Sequence, residues 1–167
     1  MTSAQLRREA VVKQRLELRK KLWPEIADEH LWDRKVRKGF STIPRTMSLI
    51  FEILDAIHKG KPLSRVYLEL WCRLHDEGFI TVKDERQFAF ACGFAGERGC
   101  QTLADRLARL ERHGFIKTAE GEYGRRTHIL VLDPYKAIDG LANQKGVVVP
   151  KGLINALASR KTEIKAD

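Results

Sequence analysis

The chain has 167 residues, room for one ordinary domain with an extension at either end and too little for two full domains. Its 43% apolar content supplies a core, its 32% charged content suits a water-facing protein, and no run approaches the roughly 18 apolar residues of a membrane span. The formal net charge of +9 favours a polyanionic partner.

That charge is unevenly placed. Residues 1–46 hold 12 Lys/Arg against 6 Asp/Glu, residues 47–134 hold 13 of each, and residues 135–167 hold 6 against 3. The basic excess therefore lies in the flanks. In the first flank, Ser3 to Trp23 contains good helix formers and no Gly or Pro, which predicts a helix. Its apolar residues, among them Leu6, Val11, Val12, Leu16 and Leu22, form no single stripe, so the helix is expected to dock lightly or to order on binding a partner. Charged Arg7, Arg8, Lys13 and Arg15 interrupt every apolar stretch, unlike an export signal, and a cytoplasmic protein is expected. Pro24 ends the helix or opens a short second one through Ile26 and Leu31. Asp33 to Pro44, with four basic residues, a glycine and a proline, reads as a linker.

A globular pattern follows, expected over residues 45–134 with 1–44 as a basic helical extension and 135–167 as a tail. Leu49, Ile50, Ile53, Leu54 and Ile57 recur at helical spacing, and Lys59-Gly60 closes that helix. Ser64 is placed to cap a second helix carrying Val66, Tyr67, Leu70, Trp71 and Leu74, with Gly78 ending it. Phe79 to Val82 suits a brief strand. Thr81-x-x-Asp84 resembles a capping box that opens a third helix through Phe88, Ala91 and Cys92. Gly93 and Gly96 bracket a tight turn before a fourth helix, Glu97 to His113, stopped by Gly114. A hairpin comes next: a strand from Phe115 to Thr118, a turn from Glu120 to Gly124, and a strand from Thr127 to Leu132 stopped by Asp133-Pro134. In the tail, Val147 to Pro150 reads as extended, and Leu153 to Ala158 as a short helix.

The fourth helix carries the most information. Cys100, Leu103, Ala104, Leu107 and Leu110 fall within roughly 120° of arc, a core-facing stripe. Opposite them Arg98, Gln101, Thr102, Asp105, Arg109 and Arg112 share roughly 100°, with Arg106 at the margin. Arg reaches guanine edges or phosphates, Gln pairs with adenine, and Thr donates to phosphate. The hairpin adds Lys117, Arg125, Arg126 and His128, partly offset by Glu120 and Glu122.

Catalysis finds little support. The histidines are scattered without metal spacing, and GFAGERG lacks the Lys-Ser/Thr ending of a phosphate loop. Cys100 and His113, were they a nucleophile and base, would stand about 20 Å apart along one helix. The three cysteines, Cys72, Cys92 and Cys100, form no CxxC pair and read as small buried hydrophobes. No catalytic residue, metal site or cofactor is expected.

The stretch ERQFAFACGFAGERGCQTLADRLARLERHGFIKTAEGEYGRRTHILVLDP is similar to the helix–turn–helix and wing of small bacterial winged-helix proteins. The preceding IPRTMSLIFEILDAIHKGKPLSRVYLELWCRLHDEGF resembles helix–turn–helix proteins carried on plasmids and other mobile elements. The resemblance spans about half the chain. It implies a mainly α winged helix–turn–helix fold whose helix from Arg98 to Arg112 binds double-stranded DNA beside a small β-hairpin wing. The implied role is that of a transcriptional regulator, or of an accessory factor in plasmid or mobile-element replication or maintenance. A homodimer is expected, because one recognition helix covers few base pairs. The alternative is a winged-helix protein-interaction module whose basic N-terminal helix docks an acidic partner, without DNA.

Overall fold

A computed structural model describes residues 2–166, with seven α-helices, a 3-10 turn and a three-stranded antiparallel sheet among them. The chain divides into two compact units, one reaching to Phe40 and the other starting at Ser41. Among the described residues no helix is long and apolar enough to cross a membrane.

The first unit is built on α1 (Ser3–Leu22). A capping box opens it: Thr2 Oγ1 accepts from the Gln5 N–H, and the Gln5 side chain accepts from the Thr2 N–H at 2.7 Å. No residue of α1 is buried, as expected of a helix without an apolar stripe. The short helix expected after Pro24 is only a 3-10 turn, Asp28–His30. Asp33 then accepts from the Lys35 N–H at 2.8 Å, a local turn within the stretch read as a linker.

The second unit begins with α2 (Met47–Ala56), which buries Met47, Ile50, Ile53 and Leu54. Its last turn starts the next helix, α3 (Ser64–Arg73): Asp55 accepts from the Leu63 and Ser64 N–H groups at 2.7 and 2.9 Å. Ser64 is thus not the cap. It is the first helical residue, and its hydroxyl donates to Asp55 as well. Nor does Gly78 end α3, which stops at Arg73; Gly78, at φ +72°, turns the chain into β1 (Phe79–Thr81). The capping box expected from Thr81 to Asp84 does not form; the helix start is shifted by three residues, because Asp84 itself accepts from the Gln87 N–H and opens α4 (Glu85–Ala91). The next helix, α5 (Gly99–Arg112), leads into β2 (Ile116–Gly121) and β3 (Gly124–Val131). The hairpin turn is tighter than expected, with only Glu122 and Tyr123 between strands.

β3 is the central strand, pairing β1 on one side and β2 on the other. Ile129 faces Ile80 and Thr118 in register, and the buried Ile80, Ile116 and Ile129 turn the sheet's inner face to the helices.

Asp133-Pro134, expected to be a stop, is a start. The Asp133 carboxylate accepts from the Tyr135 N–H at 2.9 Å and Pro134 occupies the first turn of α6 (Pro134–Leu141). α7 (Lys151–Ile164) exceeds the short helix expected from Leu153 to Ala158 and packs on α2. Ala137, Ile138, Leu141 and Leu157 join the same buried cluster as Leu54, Tyr67, Phe88 and Leu110. The core therefore extends past the boundary expected at residue 134.

Candidate nucleic-acid interface

The approach to α5 is set by close packing. Gly96, at φ +86°, turns the chain, and a Cβ on Gly99 would lie 2.4 Å from the Phe94 carbonyl oxygen, so only glycine fits there. Arg98 precedes the first helical residue. No side chain caps that end, and the first turn holds no acidic residue. Leu103, Leu107 and Leu110 are buried as the periodicity requires, while Cys100 and Ala104 are half-buried. The hairpin is tied to the helix by Glu111, which accepts from the Thr118 N–H at 2.7 Å and from the Thr118 hydroxyl. Thr127 fixes the turn, accepting from the Tyr123 N–H and donating to the Gly124 carbonyl.

Five of the ten residues expected at the interface meet in one open depression: Arg98, Gln101, Thr102, Asp105 and Arg106. Lys61, from the turn between α2 and α3, lines it too, and no helical projection of α5 reveals it. Arg98, Gln101 and Lys61 are exposed and Thr102 is half-buried. Arg112 and Lys117 are exposed as well. Arg125 and Arg126 line a different cleft of about 60 Å³ beside Tyr123 and Glu85, so wing and helix cations do not converge on one hollow.

Arg106 and Arg109 are not the free cations that the projection suggests. Asp105 accepts from Arg106 Nη1, and from Arg109 Nε and Nη2 at 3.0 Å each. The arginine side chains are only 11% and 20% exposed, against 40% for Asp105. The bond from Arg109 holds the Asp105 carboxyl below its ordinary range, against the opposite effect of burial, and Lys61 and Arg106 act in the same direction as Arg109. Asp105 thus serves its own helix.

Arg109 also starts a chain of bonds with no counterpart in the sequence reading. Its Nη1 donates to His58 Nδ1 at 3.2 Å; His58 Nε2 meets His113 Nε2 at 2.7 Å; His113 Nδ1 meets the Gln144 side-chain Oε1 at 2.6 Å. Proton positions follow from the ends inward. A guanidinium only donates, so His58 Nδ1 accepts, His58 Nε2–H donates to His113, and His113 Nδ1–H donates to Gln144. Burial, then His113, Arg109 and Arg112, lower the His58 pKa. The relay joins α5 to the turn after α2 and to the segment after α6.

Of the three cysteines, Cys92 is buried, with its thiol pushed up to about 12 by burial, and Cys100 is half-buried. Cys72 is exposed at the end of α3, contrary to expectation. His75, Asp76 and Glu77 lie exposed between α3 and β1. Comparison of the chain with protein-family models, with curated proteins and with solved structures gives no match in any of the three.

Proposed function

We propose that the chain binds double-stranded DNA through a winged helix–turn–helix formed by α3, β1, α4, α5, β2 and β3. In this reading α5 is the recognition helix and the β2–β3 hairpin is the wing. The observation that carries it is the depression at the start of α5, where exposed Arg98, Gln101 and Lys61 stand together with Thr102. Arg and Gln are the side chains that read guanine and adenine edges in the major groove, and Lys61 adds a phosphate contact. Exposed Lys117 and Arg125 on the hairpin suit the flanking backbone, and the basic residues of α1 add charge from the first unit. A regulator of transcription, or an accessory factor for the replication or maintenance of a plasmid or mobile element, is the role consistent with such a module.

A titration of random-sequence duplex DNA at two salt concentrations tests this. Affinity that falls steeply with salt, and a preferred sequence recoverable from a random pool, are the expected results. No binding at low salt overturns the reading.

One observation favours a second role for the first unit. α1 exposes Leu6, Val11, Val12, Leu16, Leu18 and Leu22 and buries nothing, a surface suited to a protein partner or a second copy of the chain. Removing residues 2–22 separates the two: a flatter salt dependence assigns the helix to DNA, and an unchanged slope with a changed oligomeric state assigns it to protein contacts.

A further inference from the structure

We propose that Lys61, Arg106 and Arg109 form a phosphate seat that Asp105 fills in the free protein, so that a DNA backbone phosphate binds by displacing this carboxylate. The inference rests on the reading of α5 as a duplex-binding helix and adds a built-in competitor to it.

Three observations converge on the seat. The first is charge: one carboxylate is shared by two arginines, with Lys61 lining the same depression. The second is fit. Arg109 grips both carboxylate oxygens with parallel N–H donors at 3.0 Å, a fork geometry that a phosphate matches equally well. Arg106 is incompletely satisfied by Asp105, since its Nε is buried without a hydrogen-bond partner.

The third observation is an asymmetry of restraint. Asp105 is the partner that solvent reaches, at 40% side-chain exposure, and a short side chain leaves its seat by a single rotation. Arg106 and Arg109 are held by the fold, and Arg109 keeps its bond to His58 Nδ1 when the carboxylate departs. The seat is thus the fixed element and the acid the movable one. Asp105 and Arg106 border the depression that holds Arg98, Gln101 and Thr102, so a backbone running past the helix start reaches the seat. Such a competitor weakens attachment to any duplex, and contacts made only at a preferred sequence must then supply the difference.

Asp105→Asn tests the proposal on the full chain, with random-sequence duplex as the probe and affinity and the slope of log K against log salt as the readouts. Removing the competing charge is expected to tighten binding several-fold and to leave the slope close to the parent's, because the same phosphates are neutralised in both complexes once the carboxylate is displaced. Lys61→Gln, at an exposed position, is expected to flatten the slope in the parent and to reverse the gain in Asp105→Asn. A folded Asp105→Asn protein that binds no tighter than a parent that does bind overturns the seat and leaves the DNA reading standing. Absence of binding by both proteins overturns the two together. If Asp105→Asn does not fold, Lys61→Gln decides: an unchanged slope in that variant overturns the seat.

Discussion

The two halves of α5 share a core stripe and differ in what their polar residues do. From Arg98 to Thr102 the polar side chains make no hydrogen bond or ion pair with other side chains among the described residues, and they border an open depression. From Asp105 to His113 all but the exposed Arg112 are engaged internally, with Arg109 tied to Asp105 and His58, Glu111 to Thr118, and His113 to His58 and Gln144. A polar helix face is therefore not one surface. The first half is open to a ligand, whereas the second fastens the helix to the hairpin, to the turn after α2 and to the segment after α6, and offers a ligand only the seat that Asp105 fills.

The severest way to break the second half is to remove what it is fastened to. Ending the chain at Pro134 deletes Gln144 and withdraws Ile138, Leu141 and Leu157 from the core. Full burial of such side chains stabilises by about 1.5–3 kcal/mol each, a sum comparable to the whole stability of a small domain. No cooperative thermal transition is expected from that fragment. A chain starting at Ser41, which keeps every element of the second unit, is expected to melt cooperatively. Leu107→Ala strikes the stripe common to both halves and is expected to cost about 2–5 kcal/mol by denaturant unfolding.

The legible parts of this picture are those written in local spacing. Leu103, Leu107 and Leu110 recur at the helical period, and the glycines at 93, 96 and 114 adopt positive φ angles, so α5 is readable to within two residues at its start. Caps were harder, because several side chains compete for one helix end. Ser64 looked like the cap, but Asp55, nine residues earlier, takes the role by reaching across from α2. α6 was hidden by an ambiguous signal, since Asp-Pro can stop a strand and equally well supply an N-cap and first-turn proline. The relay had no local signature at all: His58 and His113 are 55 positions apart and meet only because the fold brings the turn after α2 to the end of α5. The depression was half visible, as its α5 residues share an arc while Lys61 enters from a separate turn.

Arg109→Ala sharpens the comparison directly. It leaves Asp105 without its bidentate partner and His58 Nδ1 without its donor, and is expected to cost about 1–3 kcal/mol of folding stability. Acidification probes the same network more gently. With its pKa lowered in the folded state, His58 binds protons more readily when unfolded, so its contribution is complete above the unfolded value of 6.5 and declines as pH falls below it. The groups facing it are His113, Arg109 and Arg112, which oppose its protonation, and Asp105, which favours it. The melting temperature is expected to be lower at pH 5.5 than at pH 7.5, and His58→Gln should flatten the profile across that window.

The most direct test is Arg98→Ala, which changes the open half alone. Its folding stability is expected to stay within about 0.5 kcal/mol of the parent, because the side chain is exposed and makes no hydrogen bond among the described residues. Its affinity for the preferred duplex, measured beside the parent at one salt concentration, is expected to fall by about 1–3 kcal/mol. Unaltered DNA affinity in a fully folded Arg98→Ala protein would contradict the assignment of the start of α5 to DNA.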